Sequence, residues 1–462
     1  MIEESVAFPT GFYVAAIFFV LGLLFAWKAR RIGTGIPTAA VLGTIAIWYF
    51  GDALYNDYTT YALLIGEKYL EAAWWQVALF IASFTMMVPL VHRISNKKLL
   101  SNPSQFFALM QRGGIQNKEF QRRLDVACRL LFIIWSILMI IALAQTNFDF
   151  LGLFAPYISG KAYPWARGRV GGGLDALLSF ANYIQIMLTA SFGIVSAVAI
   201  NQRTRNLALI CFALSAPFYI LDRARNVMLA VVLPGLMAWV FLKVRGGIFF
   251  KIGILVAAFS VVQIWMKFVI KTRSGANISM AVSQIGFAGV LESAESEDAK
   301  HAGLTMLTEL GWINSFIDKG TFAVNWGDRY FSELVNPIPR TLWPGKPYIG
   351  IDYAIARGQL FSGGTAEAAG VGATISTGLI GQGVTNFGIF FGVLSSAFLM
   401  ALWVAFLARQ DLKGQKMGRM LLFFIGCVLT FNLGRDITLM TLYPVVFGYI
   451  MLLVWTRTHK EG

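Results

Sequence analysis

Charge is what this chain has least of. Asp, Glu, Lys and Arg make up only 13% of its 462 residues, about half the roughly 25% of a soluble globular chain. That shortage excludes an ordinary water-solvated domain. Histidine and cysteine are equally scarce, three of each. His92, His301 and His459 are dispersed, so no metal site is expected. Cys128, Cys211 and Cys427 all fall inside apolar runs, and their odd number gives no disulfide framework. There is no phosphate-cradling Gly-rich loop, no Gly-x-Gly-x-x-Gly and no Asp-x-Asp, so nucleotide chemistry has no seat. Acids are fewer than bases, 24 against 38. A net charge of +14 would suit nucleic acid, but the cations sit mainly in short loops between apolar runs, where they act as topology signals.

What the chain has is hydrocarbon: 57% hydrophobic residues and a mean hydropathy of +0.65. Apolar runs long enough to span a membrane occur at about 11–27, 36–51, 72–91, 128–145, 178–200, 207–221, 226–242, 252–270, 387–408, 420–434 and 437–456. The pattern predicts an all-α polytopic membrane protein with about 11 transmembrane helices. The acidic start, Glu3 and Glu4, is the wrong charge for a cleaved signal, so the first run is expected to be a retained span. With the N-terminus outside, the inner segments hold 21 cations and four acids, and the outer ones 15 cations and 20 acids. That asymmetry predicts an N-out, C-in orientation. Three segments follow: 1–270 with spans one to eight, a large outer loop 271–372, and 373–462 with the last three spans.

The outer loop carries the unusual chemistry. Ser279–Leu291 and Leu304–Phe316 are amphipathic and expected to lie as helices on the membrane surface over a site. Between them, the acidic Glu292–Lys300 is expected to form a solvated tip. Further on, residues 336–347 place four prolines, Arg340, Trp343 and Lys346 in one stiff strap, because each proline fixes φ and restricts its predecessor. Other outer cations are Arg167, Arg169, Arg223, Arg225, Arg329, Arg357 and Arg435. One such arginine snorkels or pairs with Asp222 or Asp436. Several converging from distant loops would make a site for a phosphate-bearing anion, which guanidinium forks match in bidentate geometry. Asp222, Asp328, Glu333, Asp352 and His301 are the groups able to take a hydroxyl proton, and no spacing selects among them. After the loop, the glycines from Gly378 to Gly392 allow close backbone approach, and Asn386 is placed to cap the ninth span.

Three of these stretches resemble the Wzy-type oligosaccharide repeat-unit polymerases, relatives of the O-antigen ligases. The strap Ile338-Pro339-Arg340-Thr341-Leu342-Trp343-Pro344-Gly345-Lys346-Pro347 resembles the family's I-P-R-x-L-x-P-x-K-P signature. Asn386-Phe387-Gly388 with Gly392 resembles its N-F-G-x-x-G. The turn Arg223-Ala224-Arg225-Asn226 resembles its short outer S-R turn, with Asp222 in place of the usual small residue. The resemblance covers about residues 207–410 and the topology. It implies a GT-C-like fold and an inverting, metal-independent membrane glycosyltransferase needing no cofactor. Such an enzyme moves a growing glycan from undecaprenyl pyrophosphate onto a lipid-linked repeat unit at the periplasmic face of the bacterial inner membrane. It implies catalytic roles for Arg340, Arg223, Glu333, Asp222 and His301, with Glu333 or Asp222 ahead of His301 as base. Substrate binding would fall to Arg225, Lys346, Arg435, Arg329, Arg357 and Trp343. The implied partners are the undecaprenyl-pyrophosphate-linked oligosaccharide and membrane lipids, not nucleic acid; a polysaccharide chain-length regulator stays open. An O-antigen-ligase-type transferase and a lipid-linked oligosaccharide transporter are the alternatives. The strap speaks against the ligase, and the scarcity of ionisable residues within spans against the transporter.

Overall fold

The computed structural model describes residues 7–111, 118–150, 153, 165, 175–220, 225–271, 305–335, 338, 342–347, 350–358, 375–414 and 417–458. These form α1 (Thr10–Lys28), α2 (Gly35–Ile45), α3 (Gly51–Tyr55), α4 (Tyr58–Ile65), α5 (Glu67–Ser95), α6 (Gln105–Gln111), α7 (Lys118–Gln145), α8 (Asp175–Val198) and α9 (Gln202–Ile220). They continue with α10 (Arg225–Leu242), α11 (Ile248–Lys271), α12 (Met306–Asp318), α13 (Asp328–Val335), α14 (Ile351–Ala356), α15 (Gly378–Phe387), α16 (Phe391–Leu412), α17 (Met417–Leu433) and α18 (Leu439–Thr458). No strand occurs among the described residues.

All eleven apolar runs fall on helices. Five stretches are long and apolar enough to cross a membrane: Thr10–Ile32, Gly35–Leu54, Glu67–Ser95, Leu124–Gln145 and Phe391–Leu412. This is the architecture of an α-helical membrane protein. Five more runs overlap apolar helices of 10–17 residues, and the run at 207–221 lies in α9 as far as Ile220.

The chain divides into two compact units. The first comprises Met1–Ser104, His301–Leu412 and Leu429–Leu442; the second holds Gln105–Lys300, Lys413–Val428 and Tyr443–Gly462. The second is built on α6 to α11 and parts of α17 and α18. Within it, α8 and α10 cross where Gly193 faces Gly235; a Cβ on Gly235 would lie 2.8 Å from the Gly193 carbonyl carbon. Trp135 Nε1 donates to Ser215 Oγ at 2.6 Å, and Asp125 accepts from Thr204 Oγ1 at 2.6 Å and Asn201 Nδ2 at 3.1 Å. Cys128 and Cys211 are buried there as free thiols.

The first unit packs α5 against α1, α12 and α16. Its core joins Leu42 and Ile45 of α2 to Trp74, Val77, Phe80 and Phe84 of α5, and both to Leu379, Val384 and Met400. After α2 the helix widens into a π turn at Ala46–Phe50, the kind of irregularity that frees backbone groups and re-aims side chains. Tyr49, in that turn, accepts a hydrogen bond from the Ile380 amide at 2.8 Å, and Trp48 Nε1 donates to the Phe431 carbonyl at 2.8 Å.

Two expectations change here. The segment Leu304–Phe316, described from Thr305 on, is not a surface helix: α12 buries Leu307, Leu310, Gly311 and Ile313 in the first unit. Its start is capped from afar, since Asp52 Oδ2 accepts from the Thr308 amide at 2.8 Å. An acid there satisfies orphan helix amides and meets the positive end of the helix dipole. Asn386 does not cap the ninth span either. The span starts beyond it at Phe391, and Asn386 sits inside the separate helix α15, donating to the Gln382 carbonyl at 2.6 Å. The close approach expected of the glycines is present. A Cβ on Gly383 would stand 2.1 Å from the Gly392 carbonyl oxygen, and one on Gly392 would stand 2.3 Å from that of Gly383. These two glycines let α15 and α16 touch backbone to backbone. Ser279–Leu291 and Glu292–Lys300 lie outside the described residues.

Candidate functional site

The site of the first unit is assembled around α13, whose faces are inverted. Its buried side carries Arg329, Ser332 and Glu333 beside Val335, while Phe331 and Leu334 are 48% and 64% exposed. The spacing explains the grouping: positions i, i+3 and i+4 share one helix face. The helix is pinned to α15 at its start. Asn386 Oδ1 accepts from the Tyr330 amide at 3.3 Å, and the Asn325 amide donates to the Thr385 carbonyl at 3.1 Å. The turn leading in, Asn325-Trp326-Gly327-Asp328, closes with the Asp328 amide donating to the Asn325 carbonyl at 3.1 Å. Both central residues have positive φ, 50° for Trp326 and 96° for Gly327, as in turns of the primed type. Gly327 suits that geometry. A bulky Trp326 does not, and such a residue costs about 1–3 kcal/mol unless its surroundings hold it there. Its indole is 80% exposed.

Opposite α13 stands α14, held by α12. Glu309 receives Arg357 in a bidentate pair, Nε to Oε2 at 3.1 Å and Nη2 to Oε1 at 3.2 Å, and also accepts from the Tyr353 hydroxyl. Burial and the Glu309 charge push the Tyr353 phenol well above its ordinary range. The Arg357 guanidinium also lies 4.7 Å from the centre of the Trp312 ring, a cation–π contact. Fixing α14 brings Gly350 and Asp352 to face α13 across a cavity of about 460 Å³, lined also by Asn325, Asp328, Arg329 and Ser332. Gly350 has φ 65°, and a Cβ there would stand 3.3 Å from Arg329 Nη2. Glycine therefore serves both the left-handed backbone and the guanidinium's room.

Arg329 is the pivot of the cavity. It is 4% exposed, its Nη2 donates to the Ile375 carbonyl at 3.4 Å, and it lies 3.7 Å from Asp436 Oδ1. Its Nε and Nη1 have no partner among the described residues. Asp436 is held in turn by the Thr377 amide and hydroxyl, both at 3.2 Å. Glu333, 6% exposed, accepts no hydrogen bond among the described residues. Its pKa is pushed up from 4.5 to about 7, chiefly by burial, then by the Asp436 charge, with Arg329 pulling the other way. A carboxyl poised near neutrality can both take and return a proton.

The sequence-predicted residues fall into three sets. Arg329 and Glu333 are brought together on one buried face of α13; Arg329 lines the cavity with the exposed Asp328 and Asp352, while Glu333 lies outside that lining. Lys346, Trp343, Arg357 and Arg435 each have a local partner. Lys346, 8% exposed, donates from Nζ to the Ile338 carbonyl at 2.9 Å, closing the strap on itself; Trp343 meets Phe331 edge-on at 6.4 Å. Arg357 pairs with Glu309. Exposed Arg435 donates to Ser376 Oγ at 2.5 Å, not to its neighbour Asp436. Arg340, Arg223, Asp222 and His301 lie outside the described residues, as do Arg167 and Arg169; Arg225 is the first residue of α10, with its side chain outside them. Sequence reasoning missed Asn325, Trp326 and the link from Asp436 to Arg329. The Trp-Gly dipeptide before α13 was the available sign of a tight turn. Compared with known proteins, the chain matches no protein-family model, no curated protein and no solved structure.

Proposed function

We propose that this chain is a membrane glycosyltransferase that polymerises lipid-linked oligosaccharide repeat units. It works as an eleven-span, N-out, C-in protein of the bacterial inner membrane, with its site on the periplasmic side. The observation that carries the reading is Glu333. A carboxyl buried beside Arg329, with its pKa near 7, on the helix that leads into the cationic strap, is suited to deprotonate an acceptor hydroxyl. The leaving group would be a lipid pyrophosphate, whose developing charge fixed cations stabilise without a metal. Within the same unit, Arg340 is the cation assigned to it, with Lys346 and Arg435 next.

The reaction forms one bond between the acceptor oxygen and the anomeric carbon of the donor. It breaks the bond from that carbon to the pyrophosphate oxygen, and the acceptor proton passes to Glu333. The test is purified protein in detergent with a defined undecaprenyl-pyrophosphate repeat unit, its products resolved on a gel. A ladder spaced by one repeat, lost in Glu333→Gln and Arg340→Ala, is expected. A glycosylated lipid A core or protein acceptor with no ladder would make the chain a ligase, and no transfer to any acceptor would refute the enzyme.

A further inference from the structure

We infer that the cavity between α13 and α14 is a subsite for an uncharged pyranose ring, the acceptor sugar, and not for phosphate; this rests on the proposed transferase. Its volume, about 460 Å³, falls within the roughly 300–1,000 Å³ of small-molecule sites. Its lining sets the ligand's charge. Among the described residues Arg329 is the one cation of the lining, against Asp328 and Asp352 in it and Asp436 at 3.7 Å behind it. A pyrophosphate would enter against that excess of carboxylates, whereas a polyol meets none of the repulsion.

The same lining supplies what a polyol needs. Carboxylates accept from hydroxyls, and a guanidinium donates to ring and hydroxyl oxygens. The orphaned atoms show the site is built for a guest. Arg329 is buried yet leaves Nε and Nη1 without a partner, and Asn325 Oδ1 is likewise buried and unpartnered among the described residues. Such atoms are costly unless a ligand or water satisfies them. Trp326 follows the lining residue Asn325 in the chain and is not itself in the lining; it is 80% exposed in a left-handed conformation. That conformation is uncommon for a bulky residue, and nothing in the packing of so exposed a ring requires tryptophan. A sugar platform does: the apolar face of a pyranose lies flat on an indole, an amphipathic contact that tryptophan serves well.

The test has two arms on the full-length protein in detergent. In the first, calorimetry follows binding of the methyl glycosides of glucose, galactose, mannose, rhamnose and N-acetylglucosamine, with inorganic pyrophosphate as competitor. At least one glycoside is expected to bind in the millimolar range, undisturbed by pyrophosphate and weakened tenfold or more by Trp326→Asn and by Asp352→Asn. Asn accepts left-handed φ better than Trp, so Trp326→Asn should melt no lower than the parent while binding worse. A merely structural tryptophan would not give that split. No glycoside bound, displacement by pyrophosphate, or unchanged binding in both variants would overturn the subsite. In the second arm, the polymerisation assay is expected to show a raised KM for the acceptor and an unchanged KM for the donor. Polymer made with both constants unchanged overturns the subsite alone. A parent protein that binds the glycoside but makes no polymer overturns the transferase and leaves the sugar site standing.

Discussion

Glu333→Gln should make the protein more stable at neutral pH while abolishing its activity. The carboxyl is buried with its pKa raised from 4.5 to about 7, so the folded state holds a proton that the unfolded state has released across that window. Folding stability therefore falls as pH rises from about 4.5 to about 7: the native state binds more protons there, and the slope is negative. At about 1.4 kcal/mol per pKa unit, the cost of ionising Glu333 comes to about 3.5 kcal/mol above pH 7. Glutamine keeps the shape without the charge, so the variant should gain about that much at pH 8 and almost nothing at pH 4.5. The measurement is the apparent melting temperature in detergent at several pH values between 4.5 and 8, for parent and variant side by side. The parent should lose several degrees across the window relative to the variant. Transfer by the parent should rise with pH through an apparent pKa near 7, because the base must be ionised to act. Parallel melting curves would refute the buried, perturbed carboxyl, and a Gln variant with full activity would remove Glu333 from the chemistry.

Gly383→Ala and Gly392→Ala should each drive α15 and α16 apart, since the new methyl would meet a backbone oxygen at 2.1 or 2.3 Å. A loss of about 3 kcal/mol, the upper end for overpacking, is expected from thermal melting, whereas Gly43→Ala, with nothing within 4 Å, should be silent. Arg357→Ala should cost about 3 kcal/mol by leaving Glu309 buried and unpaired, and the further change Glu309→Gln should recover part of it. If Arg357 instead binds substrate, the single variant will melt normally and lose activity alone. Lys346→Met should lose the bond to the Ile338 carbonyl, about 1.5–3 kcal/mol for a charged donor. Limited proteolysis should then cut the strap faster, and an unchanged rate would refute its closure by Lys346.

The sequence by itself determined the class of the molecule. Scarcity of charge and eleven apolar runs dictate helices, because a backbone in hydrocarbon must satisfy its own hydrogen bonds. Those runs needed no knowledge of their neighbours and fall on helices. The glycines of 378–392 announced a close approach that exists between Gly383 and Gly392. Partnership was not legible, since it joins residues far apart in the chain. Arg435 stands beside Asp436 in sequence but turns to Ser376, while Asp436 lies by Arg329 more than a hundred residues earlier. Amphipathic spacing in Leu304–Phe316 fits a membrane surface as well as a protein groove, and only the facing core with Asp52 at its start made α12 a buried helix. Glu333 was one carboxyl among several until burial set it apart, because desolvation depends on what covers a group, and tertiary packing alone decides that.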